Sequence, residues 1–362
     1  MTSKYILLGV AAVAGQSAAL AAPQSEQLRG ERAAAAAAPN CFPYGTATLP
    51  TDGSAPNVSR AAWWCPQNMS YGFQGFSYPL EVGDCADPSN GFDAMSADFA
   101  RMKRDFGATI VRLYYPVCAE ASVFENALKA GIANNMAVIP QVWFNFGDGD
   151  VWKKSQQAIY DVMEGQYAAV APFVFHSADF GSEPVGDGVD GGGQQFVKDL
   201  TAFKARMNSY GVPAGISEDW DRPGTLSGSD GTGLSSYGKQ IAAQSDHIHS
   251  HPMPFYHGNL MENETWAYIS KQLDFYNATL PGKPMMVTET QWAWGPTDHY
   301  PNHKDVGVPQ YTAYWKQYDA MCATLKRYNV GWFLHAWAGE DTFDIAKGDG
   351  SYVIPNWRPQ KC

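Results

Sequence analysis

Strand-like and helix-like stretches alternate along most of this chain, and that alternation predicts an α/β fold of the (β/α)8 TIM-barrel type. Three observations carry the prediction. Eight apolar runs read as strands: Tyr71–Phe76, Thr109–Tyr114, Ala137–Trp143, Phe173–Gly181, Val212–Ser217, Asp246–His251, Pro284–Thr288 and Val330–Ala336. The segments between them carry apolar residues at helical spacing, and strict strand–helix alternation implies a parallel sheet. About 290 residues remain from the first strand onward, a usual size for such a barrel. An open doubly wound sheet is the alternative, but no Gly-rich dinucleotide loop follows the first strand.

The elements follow in order. The first helix is read from Phe92, Met95, Phe99, Met102 and Phe106, which step by three and four and so share one face, with Ser89 or Asn90 as its cap. Phe196, Leu200, Phe203 and Met207 repeat the pattern after the fourth strand. Trp266, Ile269, Leu273 and Tyr276 do so before the seventh strand, and Tyr314, Tyr318, Met321 and Leu325 before the eighth. No helix pattern follows Val330–Ala336, so the tail from Trp337 to Cys362 reads as irregular. The segment Cys41 to Asn68 precedes the barrel and is expected to cover that side or the barrel bottom. One barrel domain, 41–362, is expected, with no internal repeat and no dividing linker.

The first residues read as a secretory signal: Lys4, an apolar run from Tyr5 to Ala14, then Ala19-Leu20-Ala21. Residues 22–40 hold an alanine tract and no periodicity, and read as a disordered leader. Secretion makes the six cysteines (Cys41, Cys65, Cys85, Cys118, Cys322, Cys362) candidates for three disulfides, with the pairing left open. Sequons at Asn57, Asn68, Asn263 and Asn277 fit export. The polar C-terminus carries no lipid-anchor signal, and no later run is long enough to cross a membrane. A net charge of −11 argues against a nucleic-acid partner, which needs clustered Lys and Arg. The chain is read as a monomer. Only 17% of residues are charged, while Trp numbers 12 and Tyr 19, which suits either sugar stacking or a large aromatic core.

Chemistry centres on two strings, F-G-S-E-P at 180–184 and V-T-E-T-Q-W at 287–292. They place Glu183 at the end of the fourth strand and Glu289 at the end of the seventh. Barrel active sites sit at the C-terminal strand ends. Two carboxyls meeting there are the minimum for splitting a glycosidic bond, one as acid and one as nucleophile. Tyr114, Trp143, Trp292 and Trp337 fall at or just beyond strand ends and are candidate sugar platforms or core residues. Tyr256 is placed to hydrogen-bond the nucleophile. His247, His249 and His251 alternate along one strand, so all three share a face. They raise a metal-dependent hydrolase as a rival. No cofactor and no metal are expected, because no matching cluster ends another strand, and His251 is read as lining the sugar subsites.

Three stretches give a resemblance. T-I-V-R-L-Y-Y-P-V-C (109–118), M-A-V-I-P-Q-V-W-F (136–144) and V-T-E-T-Q-W (287–292) resemble the second, third and seventh strands of glycoside hydrolase family 17, the β-1,3-glucanases of clan A, in a fungal form. The resemblance spans roughly 71–337 and implies a secreted retaining β-glycosidase acting on β-1,3-glucan. Glu289 would be its nucleophile and Glu183 its acid/base. Transglycosylation by the same carboxylates, or silent glycan binding, are the alternatives. The chain departs from the pattern at Ser182, where the clan has the Asn that contacts the sugar 2-hydroxyl, and at Gln291, where the family has Gly. The ending Leu334 to Glu340 also differs from the family's acidic-aromatic one.

Overall fold

The computed structural model of the chain describes residues 40–362 apart from Phe144, Gly258, Asn259, His299 and Lys361. The expected signal and all of the leader except Asn40 lie outside the described residues.

The strands are β1 Gly72–Pro79, β2 Ile110–Tyr114, β3 Ala137–Ile139, β4 Gln141–Val142, β5 Ala178–Ser182, β6 Ala214–Glu218, β7 Ile248–Ser250, β8 Met285–Val287 and β9 Val330–Leu334. All paired strands run parallel, in the order β3-β2-β1-β9-β8-β7-β6-β5-β4. The two ends of that order are one run of chain. β3 and β4 are halves of a single stave interrupted at Pro140, which has no N–H to give to a ladder. Its carbonyl still accepts from the Asp179 amide at 3.0 Å. The sheet therefore closes on itself as an eight-stave barrel.

Helices α1 Arg60–Trp63, α2 Phe92–Arg101, α3 Ala121–Asn134, α4 Val151–Glu164, α5 Ala171–Val174, α6 Gln194–Ser209, α7 Ser236–Ala243, α8 Thr265–Thr279, α9 Val308–Ala320 and α10 Cys322–Tyr328 flank it. The apolar periodicity marks the buried faces: Met95 and Phe99 in α2, Phe196, Leu200, Phe203 and Met207 in α6, and Ile269, Leu273 and Tyr276 in α8.

Three details differ from the sequence expectation. Phe173–Gly181 is not one strand. Its first part forms the turn of α5, opened by Pro172, and only Ala178–Ser182 pairs. Arg60 explains the break. Its guanidinium donates to the carbonyls of Pro172 (2.6 Å), Phe175 (3.1 Å) and His176 (3.1 Å), which holds the chain in a bend. The run Tyr314 to Leu325 is two helices, divided at Met321. Neither Ser89 nor Asn90 caps α2; Gly91 precedes it, and Asp87 accepts from the Ser89 amide instead. The tail is irregular, as expected, and closely packed. Trp337 lies against Phe76 and Phe106, Phe106 against Tyr352 and Trp357, and the Trp357 indole N–H donates to Asp319 of α9 at 2.9 Å. The tail thus stands where an eighth barrel helix would pack.

The pre-barrel segment seals the bottom beneath β3 and β5. Phe42 stacks on Trp63 at 4.9 Å, and the Trp63 indole donates to the Phe173 carbonyl at 2.8 Å. Asn135, just before β3, accepts from the Leu49 amide at 2.8 Å. Disulfides join Cys41–Cys65, Cys85–Cys118 and Cys322–Cys362. The first ties this seal to itself and the third pins the tail to α10. All four sequon asparagines are exposed. Among the described residues no helix is long and apolar enough to cross a membrane. Because Trp63 is buried at the junction of seal and barrel, Trp63→Ala is expected to cost about 3–5 kcal/mol. Denaturant unfolding checks this, and a cost under about 1 kcal/mol would show that the seal is not part of the cooperative fold.

Candidate active site

The barrel interior below the rim is polar. Arg112, Gln141, Asp179, Ser217, His247, His249 and His251 are all buried there. The site is built on Arg112, the mid-strand arginine of β2. Its guanidinium is wholly buried and reaches side chains on four other staves and Glu289 just beyond a fifth. Nη1 pairs with Glu289 Oε2 at 3.0 Å and donates to Ser77 Oγ at 3.3 Å. Nη2 donates to Gln141 Oε1 (3.1 Å), Ser182 Oγ (3.0 Å) and Ser217 Oγ (3.1 Å).

Glu183 follows β5 in a left-handed conformation, φ 47°, which a residue with a Cβ adopts at a cost of about 1–2 kcal/mol. Gly181, at φ 96°, lies within β5 where the ladder to β6 is irregular; a Cβ there would come 2.8 Å from the Phe146 ring. These two positive-φ residues at the end of β5 carry Glu183 over the barrel mouth. His251 Nδ1 lies 2.7 Å from Glu183 Oε1, and its Nε2 lies 3.7 Å from Glu289 Oε2 and hydrogen-bonds with Ser217 Oγ. With its proton on Nδ1, a neutral His251 donates to Glu183 and accepts from Ser217. One carboxylate oxygen of each glutamate and a His251 nitrogen all lie within 4.8 Å of one another.

The two carboxyls are held in opposite states. Burial, then the negative charge of Glu289, pushes Glu183 up to about 8. Burial also pushes Glu289 up, but His251, His335 and Arg112 outweigh it and bring it down to about 2. Burial lowers His251 to about 4, so it is neutral near pH 7. One protonated and one ionised carboxyl at close range is the division of labour that acid-assisted displacement at a sugar carbon needs.

A cavity of about 320 Å³ opens above them, lined by Tyr114, Glu183, Asp187, Met253, Tyr256, Glu289, Gln291, His335, Glu340 and Phe343. A larger one, 380 Å³, lies by Phe92, Lys129 and Tyr167, but no pair of carboxyls faces into it. Of the sequence-predicted residues, Glu183, Glu289, Tyr114 and Tyr256 meet at the smaller cavity. Ser182 lies beneath it, bonded to Arg112. His251 is fully buried and serves the glutamates rather than the wall, which corrects its reading as a subsite residue. Tyr256 hydrogen-bonds with Gln291, not Glu289. Trp143 is half-buried beside Tyr115 and outside the cavity lining. Trp292 and Trp337 are turned into the core, at 0% and 1% exposure, so neither offers a face to a sugar. Trp292 packs on Tyr314 and Phe255, and Trp337 on Phe76.

The residues that sequence reasoning left out are Arg112, Asp179, Ser217, His335 and Glu340. Arg112 had a signal, a lone charge inside the apolar run I-V-R-L-Y and in phase with Tyr114. The others lacked one. His335 and Glu340 form a loose ion pair at 3.9 Å on the cavity wall. Asp179 gathers His247 at 2.9 Å and His249 at 2.8 Å. This trio and Glu183–His251–Glu289 each bring ligand-type atoms within 4.8 Å, the spacing a cation would use. In the first, hydrogen bonds join both histidines to Asp179; in the second, one joins His251 to Glu183.

Two measurements probe this electrostatic design. Glu183 has a folded value near 8 against an ordinary 4.5. The folded state therefore keeps a proton that the unfolded state gives up, and stability falls as pH rises through that window. Glu183→Gln removes this loss, so the variant's stability is expected to fall less than wild type between about pH 5 and pH 8. Parallel curves would show that Glu183 ionises normally. Arg112→Met leaves Glu289 buried without its partner and is expected to cost about 3–5 kcal/mol at neutral pH, read by urea unfolding. A neutral outcome would mean that the pair adds nothing to stability.

No family model matches the chain, and no curated protein does. Solved structures do resemble it. A β-1,3-glucanosyltransferase of glycoside hydrolase family 17 from Rhizomucor miehei shares 16% identity, covering 81% of this chain and 99% of that one, with a TM-score of 0.58. An active-site mutant of the Rhizomucor miehei enzyme in complex with laminaritriose shares 14%, covering 78% and 96%, with a TM-score of 0.58. A GH2 β-galacturonidase from Eisenbergiella tayi shares 12%, covering 80% of this chain and 49% of that one, with a TM-score of 0.52. At these identities the likeness shows the barrel fold.

Proposed function

We propose that this protein is a secreted, retaining, carbohydrate-active enzyme that works on β-1,3-glucan and passes the cleaved glycosyl group to another sugar. The observation that carries the reading is the pair Glu183 and Glu289, brought within 4.8 Å across the cavity floor and driven to opposite protonation states. That spacing matches the roughly 5–5.5 Å of retaining enzymes better than the roughly 6.5–9.5 Å of inverting ones, and so favours direct attack. Glu289 attacks the anomeric carbon while Glu183 gives its proton to the departing glycosidic oxygen. The C–O bond to the leaving sugar breaks as the bond to Glu289 forms. Glu183, now ionised, takes the proton from an incoming hydroxyl, which attacks the same carbon and frees Glu289. Arg112 keeps Glu289 ionised, with His335 adding to its field, and Ser77 and Ser217 fix the guanidinium. Ser182 stands where the resembled clan has Asn and is bonded to Arg112, so contacts to the 2-hydroxyl fall to other groups lining the cavity.

Transfer is preferred over hydrolysis because the Rhizomucor miehei barrels, which this chain resembles over most of its length, are glucanosyltransferases. Hydrolysis differs only in that water is the acceptor. The three disulfides support an oxidising, extracytoplasmic setting.

Incubation with laminari-oligosaccharides, followed by product sizing, tests the reading. Products longer than the substrate are expected from wild type. Glu289→Ala should abolish turnover, and Glu183→Gln should lower it by about 10²–10⁴-fold. Only shorter products would assign hydrolysis. Folded wild type with no turnover, but with binding, would assign a silent glycan-binding barrel.

A further inference from the structure

We propose that Glu218 is a positioning residue for Glu183: its buried carboxyl clamps the turn that follows Glu183 and so fixes where the Glu183 side chain stands. The inference deepens the two-carboxylate reading above and rests on it for its catalytic consequence.

Glu218 closes β6 and is completely buried. Its Oε2 accepts from the amides of Val185 (3.0 Å) and Gly186 (3.2 Å), and its Oε1 from the Asp219 amide (2.9 Å). Three backbone N–H groups thus converge on one buried side chain. Arg222 adds a donor to the Gly186 carbonyl at 2.9 Å. The approach is possible only because residue 186 is glycine; a Cβ there would stand 2.7 Å from Glu218 Oε1. On its other side Glu183 is held by its own amide, which donates to the Ser217 carbonyl at 2.8 Å. β6 therefore grips the acid/base before and after its side chain, by Ser217 and by Glu218. Such a grip is what a non-glycine residue at φ 47° requires, since a left-handed conformation persists only where its surroundings over-determine it.

Charge adds a second effect. The groups facing Glu218 are Glu183, Asp219, His251, Arg222 and Tyr237. Burial and Glu183 push Glu218 up to about 8, while the Gly186 and Val185 amides and His251 pull it down. Its negative charge, when present, favours the acid form of Glu183. Glutamine cannot replace it cleanly. One amide oxygen can serve either the turn or the Asp219 amide, and the other side would then meet an NH₂ group.

Carboxyl ¹³C NMR titration of Glu183, assigned by the resonance lost in Glu183→Gln, tests this without requiring turnover. In Glu218→Gln the Glu183 midpoint is expected to fall by about one pH unit. The alkaline limb of kcat/KM on β-1,3-glucan should fall with it, while KM stays within about twofold. An unchanged midpoint overturns the proposal. A shifted midpoint in a protein that does not turn over glucan upholds the clamp and rejects the substrate reading. Gly186→Ala keeps the charge but displaces the clamp, and carries the test if Glu218→Gln does not fold. Its midpoint should fall by at least about half a unit, and an unmoved one again overturns the proposal.

Discussion

Everything at the mouth of this barrel depends on one buried guanidinium. Arg112 rises from β2 and hydrogen-bonds side chains on β1, β4, β5 and β6, besides pairing with Glu289 just beyond β8. A charge taken wholly out of water costs several kcal/mol unless it is paired and its donors are used. Here the cost is offset by Glu289 and by four neutral acceptors on different staves. The same bonds tie those staves together beneath the mouth. They also leave Glu289 ionised in a place where burial alone would neutralise it.

The asymmetry of the two glutamates follows from where that cation sits. Glu289 receives the guanidinium directly, with His251 and His335 nearby. Glu183 has His251 as its close partner, and burial keeps that imidazole neutral. Glu183 therefore feels mainly desolvation and the negative charge across the cavity, and keeps its proton. Like residues diverge because one cation can neutralise only one of two close carboxylates.

The fold was largely legible because periodicity is a local property. Helical faces such as Phe196–Leu200–Phe203–Met207 announced themselves. So did the parallel alternation, since each apolar run was short and each intervening stretch amphipathic. Two features resisted. The apolar run from Phe173 looked like strand, yet Arg60, more than a hundred residues earlier in the chain, bends it into α5. The tail after β9 showed no helical period because its aromatic residues are anchored one by one, Trp337 on Phe76 and Trp357 on Asp319.

In the site, position at a strand end identified the glutamates, because in a barrel every strand end faces the same mouth. It could not say which way a tryptophan one to three residues further on would turn. Trp292, three residues after Glu289, was the best sugar platform on paper and Trp337 a further candidate, and both are core. By itself, then, the sequence determined the alternation, the barrel, the two carboxyls on one rim and an even set of cysteines, all of which are properties of short segments or of composition. Tertiary structure alone decided the disulfide pairing, the gathering of Asp179, His247 and His249, and the opposite protonation of Glu183 and Glu289. Those depend on distances and on exclusion of water, and both exist only once remote staves have closed around Arg112.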